Sequence, residues 1–378
     1  MTDDAIGAAY TAAGVDTAQE GTALARLTAR VVSTWPAPTQ LGGVQLDLGY
    51  FANVIKIGDE LGLAISADGV GTKGLIAQEM QKYDTVGIDC VAMNVNDIIC
   101  VGARPLSMVD YIAVQQASPD LIDGIAKGLC EGAQQAGISI SGGEIAQVRD
   151  LIRGADEIYQ DRHLAREVPK DSGFDIAGAA VGLVPLNRII VGQDIEEGDA
   201  VIGIESNGIH SNGLTLARRI LFDRQRLNVQ SRLPGFETSL GEELLRPTHI
   251  YVREVLQVLE EVKEVKALIH VTGEGFMNLA RVASDTGYVI ENLPPTPRIF
   301  ELILGSGQVP EEEMFSVFNM GVGFCIVAAQ QEADRVVSIV EAHGKRARRI
   351  GYALRDKEKR VYIPARGLVG KGKSFTKS

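Results

Sequence analysis

Short apolar runs and longer stretches of helical period follow one another along the chain from about residue 60. "LGLAISAD" (61–68) is short and apolar, which predicts a buried strand, and "LSMVDYIAVQ" (106–115), "ISISGGE" (138–144), running into a double glycine, and "FDIAGAAVGLV" (174–184), ending at Pro185, are predicted as further strands. "DTVGIDCVAMNVNDIICVGA" (84–103) repeats its apolar residues at helical spacing and stops at Gly-Ala-Arg-Pro. "SPDLIDGIAKGLCEGAQQAG" (118–137) is the clearest helix: Ser118 caps it, Pro119 suits its first turn and Gly137 its exit. Leu121, Ile125, Leu129 and Ala133 form its inner stripe. Near Pro185 the alternation starts again. Strands are predicted at 199–206, 265–276, 320–329 and, as the last one, 346–354; helices are predicted at 212–225, 248–265 and 331–344. The charged stretch 144–173 reads as a surface excursion with one short helix.

This order predicts two α/β (α+β) domains: an extension with a glycine-rich loop (1–60), a domain at 61–185, a second at 186–355, and a basic tail at 356–378. The tail is expected to be solvated. A length of 378 residues agrees with two cores, and 45% hydrophobic against 23% charged residues is the balance of a globular protein. The net charge of −12 argues against general nucleic-acid binding. Cys90, Cys100, Cys130 and Cys325 form no CxxC pair, which disfavours a zinc ribbon. "MTDDAIGAAY" has no leader character and no apolar run reaches membrane-spanning length, so a cytoplasmic location is expected.

Three segments of the first domain bring acids to apolar elements. "DGVGTK" (68–73) follows a strand with two flexible glycines, Thr72 and Lys73, yet it is neither GxxxxGK[ST] nor GxGxxG. Gly69 and Gly71 let the backbone approach an anion, and Lys73 can neutralise one. Asp68 then makes sense through a bridging magnesium ion, which takes one or two carboxylates plus phosphate oxygens; an ordinary Asp-Gly turn is the alternative. Asp89, Asn94 and Asp97 are polar in an otherwise apolar helix, where buried acids need a partner that a metal could supply. Glu144 follows a double glycine and repeats the theme. Together the three acids favour a divalent metal carrying nucleotide phosphates. In the second domain "GIHSNGLTLAR" reads strand, loop, helix. His210, Ser211, Asn212 and Gly213 sit where free amides and the helix dipole favour an anion, with His210 as donor or proton carrier. "HVTGEGF" adds His270 and Thr272. The GxSxG and HExxH signatures are missing.

"YTAAGVD", "DGVGTK", "NVNDIICVGARP", "SGGE", "GIHSNGLTLAR", "RPTHIYV", "HVTGEGF" and "FNMGVGF" together resemble the phosphoribosylformylglycinamidine cyclo-ligase (AIR synthetase) family almost end to end. Several of these motifs also occur in thiamine monophosphate kinase and related synthetases. The resemblance implies two domains, each a mixed or antiparallel sheet packed with helices, with N-terminal sheets paired across a homodimer. It implies ATP-dependent ring closure of formylglycinamidine ribonucleotide to 5-aminoimidazole ribonucleotide, by phosphorylation of the amide oxygen. Carried over, Asp68, Asp97 and Glu144 would hold Mg2+. Asp68, Gly69, Gly71, Thr72, Lys73, Asp89 and Asn94 would meet ATP. His210, Ser211, Asn212, Gly213 and Thr272 would face the substrate, with Lys73 and His210 catalytic. The chain departs from the family pattern at Ile145, where a threonine is usual, and in the excursion that follows. Another ATP-dependent enzyme of the superfamily, or an inactive nucleotide-binding relative, are the alternatives.

Overall fold

The computed structural model describes residues 17–158 and 168–378; the motif "YTAAGVD" (10–16) lies outside them. An exposed helix α1 (Thr17–Val31) leads through the "WPAPTQLGG" loop into the first sheet, made of β1 (Asn53–Lys56), β2 (Leu61–Gly69), β3 (Arg104–Val114), β4 (Ser139–Gln147) and β5 (Phe174–Pro185) in the order β1-β2-β5-β3-β4. All neighbours are antiparallel except β3 and β4. Helices α2 (Lys73–Met80), α3 (Asp84–Cys100) and α4 (Pro119–Ala136) belong to this half, with the short α5 (Ala155–Ile158) inside the excursion as expected. Ser118 takes an extended backbone before α4, Pro119 opens it, and Gly137 closes it with φ +70°.

Side chains alternate across β2: Gly62, Ala64 and Ser66 are buried under α3, while Leu61, Ile65 and Ala67 face outward. α3 is buried almost all round, because α4 covers its far side. The two helices cross at backbone contact, where a Cβ on Gly128 would lie 2.1 Å from Asp84 O and one on Gly87 2.3 Å from Leu129 N.

The second half holds an eight-stranded sheet, β6 (Ala200–Glu205), β7 (Val265–His270), β8 (Thr286–Ile290), β9 (Val322–Ala328), β10 (Ala347–Arg355), β11 (Val361–Ile363), β12 (Leu368–Lys371) and β13 (Ser374–Lys377), ordered β13-β12-β11-β8-β10-β6-β9-β7. Every residue of β6 and β9 is buried, as their unbroken apolar runs require. The helices are α6 (Leu214–Arg218), α7 (Leu240–Leu244), α8 (Val252–Glu261), α9 (Arg298–Gly305), α10 (Glu311–Val317) and α11 (Ala333–Ala342). One apolar cluster runs through both halves, so the fold is α/β with two sheets and a continuous core.

Four expectations need correction. The basic segment is not a solvated tail: β11, β12 and β13 extend the sheet, with Val361, Leu368 and Phe375 buried and the lysines turned outward. Strand β10 is therefore not the last. The predicted helix 212–225 is α6 followed by a π-helical stretch, Arg219–Arg224. Strand β4 does not end at the double glycine but runs through it to Gln147, so Glu144 is a mid-strand residue.

Candidate active site between the two sheets

The end of β2 is held by a side chain of α3. Asn94 accepts from the Asp68 amide (3.1 Å) and donates to the Asp68 carbonyl (3.1 Å) and to Cys90 O (2.8 Å). Its amide is thus engaged with main chain. Asp68 Oδ1 accepts from Gly69 N–H at 2.6 Å. Gly71 then turns the chain with φ +63° in open space, where a side chain would meet nothing but the strained backbone. Thr72 touches the Thr215 hydroxyl of α6 at 2.9 Å, joining this glycine loop to the second half.

Burial, and secondarily the charge of Asp97, push the Asp68 carboxyl up to about 6. Asp97 itself accepts from His270 Nδ1 at 2.9 Å. A buried carboxyl whose ionisation is disfavoured beside a second acid is what a divalent cation would relieve, and two carboxylates plus phosphate oxygens are a usual magnesium donor set. Among the described residues no group of three or more His, Cys, Asp or Glu side chains is arranged to hold a metal. Glu144 does not join the pair. Asp68, Gly178, Asp110 and Gly143 form one row across the sheet, and Glu144 belongs to the next row with Tyr111, on the uncovered face. The pleat sends successive residues to opposite faces. The acid that shares Asp68's row is Asp110, whose carboxyl burial raises and against which Gly143 has no room for a Cβ.

Asp89 also differs from expectation. Its partner is Lys73 at 2.8 Å, and both side chains are fully buried. A metal is not needed to balance it, and the Lys73 ammonium is turned away from any open phosphate site. Asn96 of α3 donates to His249 O (2.8 Å) and accepts from the Tyr251 amide (2.9 Å). Asp89, Asn96 and Asp97 of α3 therefore serve as its contacts with the second half, while Asn94 stays within the first.

His210 adopts φ +67° and is 3% exposed. Asn207 Nδ2 donates to Pro247 O (2.9 Å), which turns Asn207 Oδ1 toward His210 Nε2 at 3.0 Å. Nε2 thus carries the proton, and Nδ1, buried without a partner, is the bare nitrogen. Burial, reinforced by His249, His270 and Lys73, holds the His210 pKa well below its usual value, so the ring is neutral. Ser211 donates to Asp89 at 3.1 Å. Gly213 needs its φ of +86°, and a Cβ there would strike Phe318. Asn212 lies beside Gly273, whereas the Thr272 amide is used by Asn278 (2.8 Å). A groove of about 550 Å³ opens beside this loop, lined in part by Ser206, Asn207, Arg246, His249, Arg298 and Arg346.

Sequence reasoning gave no role to Asn96, Asp110, Asn207 or Thr248. Asp110 interrupts an apolar strand, a signal available in "SMVDYIAV"; Thr248 lies in "RPTHIYV", a motif without an evident chemical pattern of its own.

A mixed two-sheet fold with a glycine loop, paired acids and a buried histidine loop defines an AIR-synthase-type class. Residues 49–184 match the family described as AIR synthase related protein, N-terminal domain, and residues 196–364 match its C-terminal domain. The chain belongs to this family. It is 43% identical over 332 residues to phosphoribosylformylglycinamidine cyclo-ligase of Methanobrevibacter smithii, covering 88% of this chain and 91% of the relative. It is 45% identical over 335 residues to the enzyme of that name from Thermococcus kodakarensis (88% and 92% covered). In fold it is similar to thiamine-monophosphate kinase from Stenotrophomonas maltophilia K279a, with a TM-score of 0.57 at 19% identity over 85% of this chain and 91% of that one. It is similar also to AaThiL complexed with AMPPCP and TMP, with a TM-score of 0.59 at 13% identity over 86% and 91%. Among the described residues no helix is long and apolar enough to cross a membrane.

Proposed function

We propose that the protein closes the imidazole ring of 5-aminoimidazole ribonucleotide from formylglycinamidine ribonucleotide at the expense of ATP, as the names of its relatives indicate. The observation that carries the reading is the Asp68–Asp97 pair beside the glycine loop 69–72, facing a second half that presents a neutral buried histidine. Magnesium held by Asp68 and Asp97 would neutralise phosphate charge during transfer. The loop from Gly69 to Thr72 approaches the phosphates with its backbone, and Asn94 holds Asp68 in place. The γ-phosphoryl group passes to the amide oxygen of the substrate. A nitrogen of the same molecule then attacks the activated carbon, the C–O bond breaks, and phosphate leaves. Holding both ends of one substrate supplies most of the gain in the second step. His210, neutral and with its bare Nδ1 buried, would have to be uncovered on substrate binding to take up the proton that the attacking nitrogen loses. The groove beside its loop is lined by Arg246, Arg298 and Arg346 and also by Glu205, Glu237 and Glu243; a ribonucleotide phosphate there would take Arg246 and Arg346 over from their partners Glu243 and Glu205.

A homodimer belongs to the same proposal. The outer face of the first sheet carries exposed Leu61, Ile65, Leu106, Val109 and Tyr111, an apolar surface suited to a second copy. Cytoplasmic work on a soluble metabolite completes the reading. The test is an assay with ATP, Mg2+ and formylglycinamidine ribonucleotide that follows ADP, free phosphate and aminoimidazole product. All three should appear together and only with substrate. ADP without the aminoimidazole, or phosphate retained on the product, would overturn the proposal.

A further inference from the structure

One carboxylate sits where three segments of the chain meet. Asp89 Oδ1 accepts from Lys73 Nζ (2.9 Å), from the Thr248 amide (2.7 Å), from Thr248 Oγ1 (2.6 Å) and from Ser211 Oγ (3.1 Å). Its Oδ2 lies 2.8 Å from the same ammonium. Lys73 also donates to the Arg246 carbonyl at 2.6 Å. Lys73 starts α2 directly after the glycine loop, Ser211 follows His210, Arg246 lines the groove, and Thr248 is buried next to His249, which lines it too. Both charged groups have no exposed surface. A phosphate could reach Lys73 only by displacing Asp89.

Stability does not account for such an arrangement. Desolvating two charges offsets most of their attraction, and apolar replacements of buried pairs are often neutral or better. What the pair provides is directional: one acceptor with fixed geometry for donors from both halves.

We propose that Asp89, pinned by Lys73, is a positioning residue that registers the His210 loop against the glycine loop, so that whatever fixes one loop fixes the other. Lys73 acts through Asp89 and is not a phosphate ligand. This rests on the proposed nucleotide site at the glycine loop but not on the identity of the second substrate.

The test uses the full chain with Lys73→Met, Asp89→Asn and the two combined. Each single change leaves a buried group unpaired and lowers the melting temperature; the neutral double variant regains most of it. Binding of a non-hydrolysable ATP analogue with Mg2+ should change less than threefold in the double variant. In the wild type the analogue should slow hydrogen exchange of the amides in 207–213, and in the double variant this protection should vanish. In the ring-closure assay kcat should fall at least tenfold in the double variant, with the KM for ATP nearly unchanged. Protection and kcat that both return with the melting temperature would reduce the pair to a stabilising contact and overturn the proposal. A Lys73→Met variant that loses tenfold or more in analogue affinity while Asp89→Asn does not would make Lys73 a phosphate ligand and overturn it as well. Wild-type protein without ring closure sinks the proposed function alone, because analogue binding and exchange still read the coupling. Wild-type protein that binds the analogue without protecting 207–213 sinks the coupling alone.

Discussion

Asp68→Asn should make the protein more stable and inactive at once. The native carboxyl is raised from 3.8 to about 6, by burial first and by the charge of Asp97 second. That is a shift of roughly two units, and at ~1.4 kcal/mol per unit the ionised form costs the native state about 3 kcal/mol. The sign follows from proton binding. Between the two values the folded chain holds more proton at this site than the unfolded chain. Stability is therefore lost as pH rises from the ordinary carboxylate value through about 6, and the full cost is present above it. Asparagine has no charge to desolvate and keeps an oxygen for the Gly69 amide, so the cost disappears while the local hydrogen bond survives. The measurement is thermal melting of metal-free protein in a pH series, wild type against variant. Above pH ~7 the variant should melt higher by several degrees, since ~1 kcal/mol corresponds to about 2–4 °C in a domain of ~150–250 residues. The difference should shrink toward pH ~4. Added magnesium should raise the wild type more than the variant, and ATP turnover should be lost. A variant that melts at or below the wild type near pH ~7.5, or a difference that does not change with pH, would refute the reasoning.

Three further outcomes follow from packing. Phe375→Ala removes a fully buried ring set against Phe315 at 6.1 Å between centroids and should cost about 3–5 kcal/mol in denaturant unfolding; a loss near zero would mean that the basic segment is solvated after all. Gly128→Ala should lower the melting temperature by many degrees, because its Cβ would meet backbone, Asp84 O at 2.1 Å and Gly87 Cα at 3.0 Å, which cannot swing aside. Val109→Lys places a charge on the uncovered sheet face and should convert a dimer to monomer by light scattering; wild-type protein already monomeric at micromolar concentration would remove the basis of that expectation.

Local chemistry made much of the fold readable. The start of α4 follows from Pro119 and its end from Gly137, although the Ser118 side chain makes no capping hydrogen bond, and the buried strands β6 and β9 follow from their apolar runs. What sequence could not supply was pairing at a distance. Asp89 and Asn94 stand out in the sequence as polar groups in an apolar helix, and in the structure their partners are Lys73, Thr248 and the backbone of Asp68. Nothing local announces a bond between residues 89 and 248. Glu144 was misplaced for a different reason. A bulge between Met108 and Val109 sets two residues of β3 against Ile140 and Gly142, skipping Ser141, and a one-residue shift decides which face every later side chain of β4 takes. The basic tail failed on composition: lysines dominate "GKGKSFTKS", yet alternation leaves Phe375 pointing inward, and a single buried aromatic ring holds the strand.

The two sheets also differ in when they can exist. Every strand of the first lies between residues 53 and 185, so that sheet can be complete while the rest is still being synthesised. The second must wait: β8 is flanked by β10 and by β11, and β11 in turn by β12, which lies after residue 367. During that interval the edge of β8 that pairs with β11 and the Phe315 ring that packs on Phe375 lack those partners. A nascent chain stalled after β10 would carry a finished first half beside an open, apolar sheet edge, the kind of surface that chaperones hold and that aggregates when they do not.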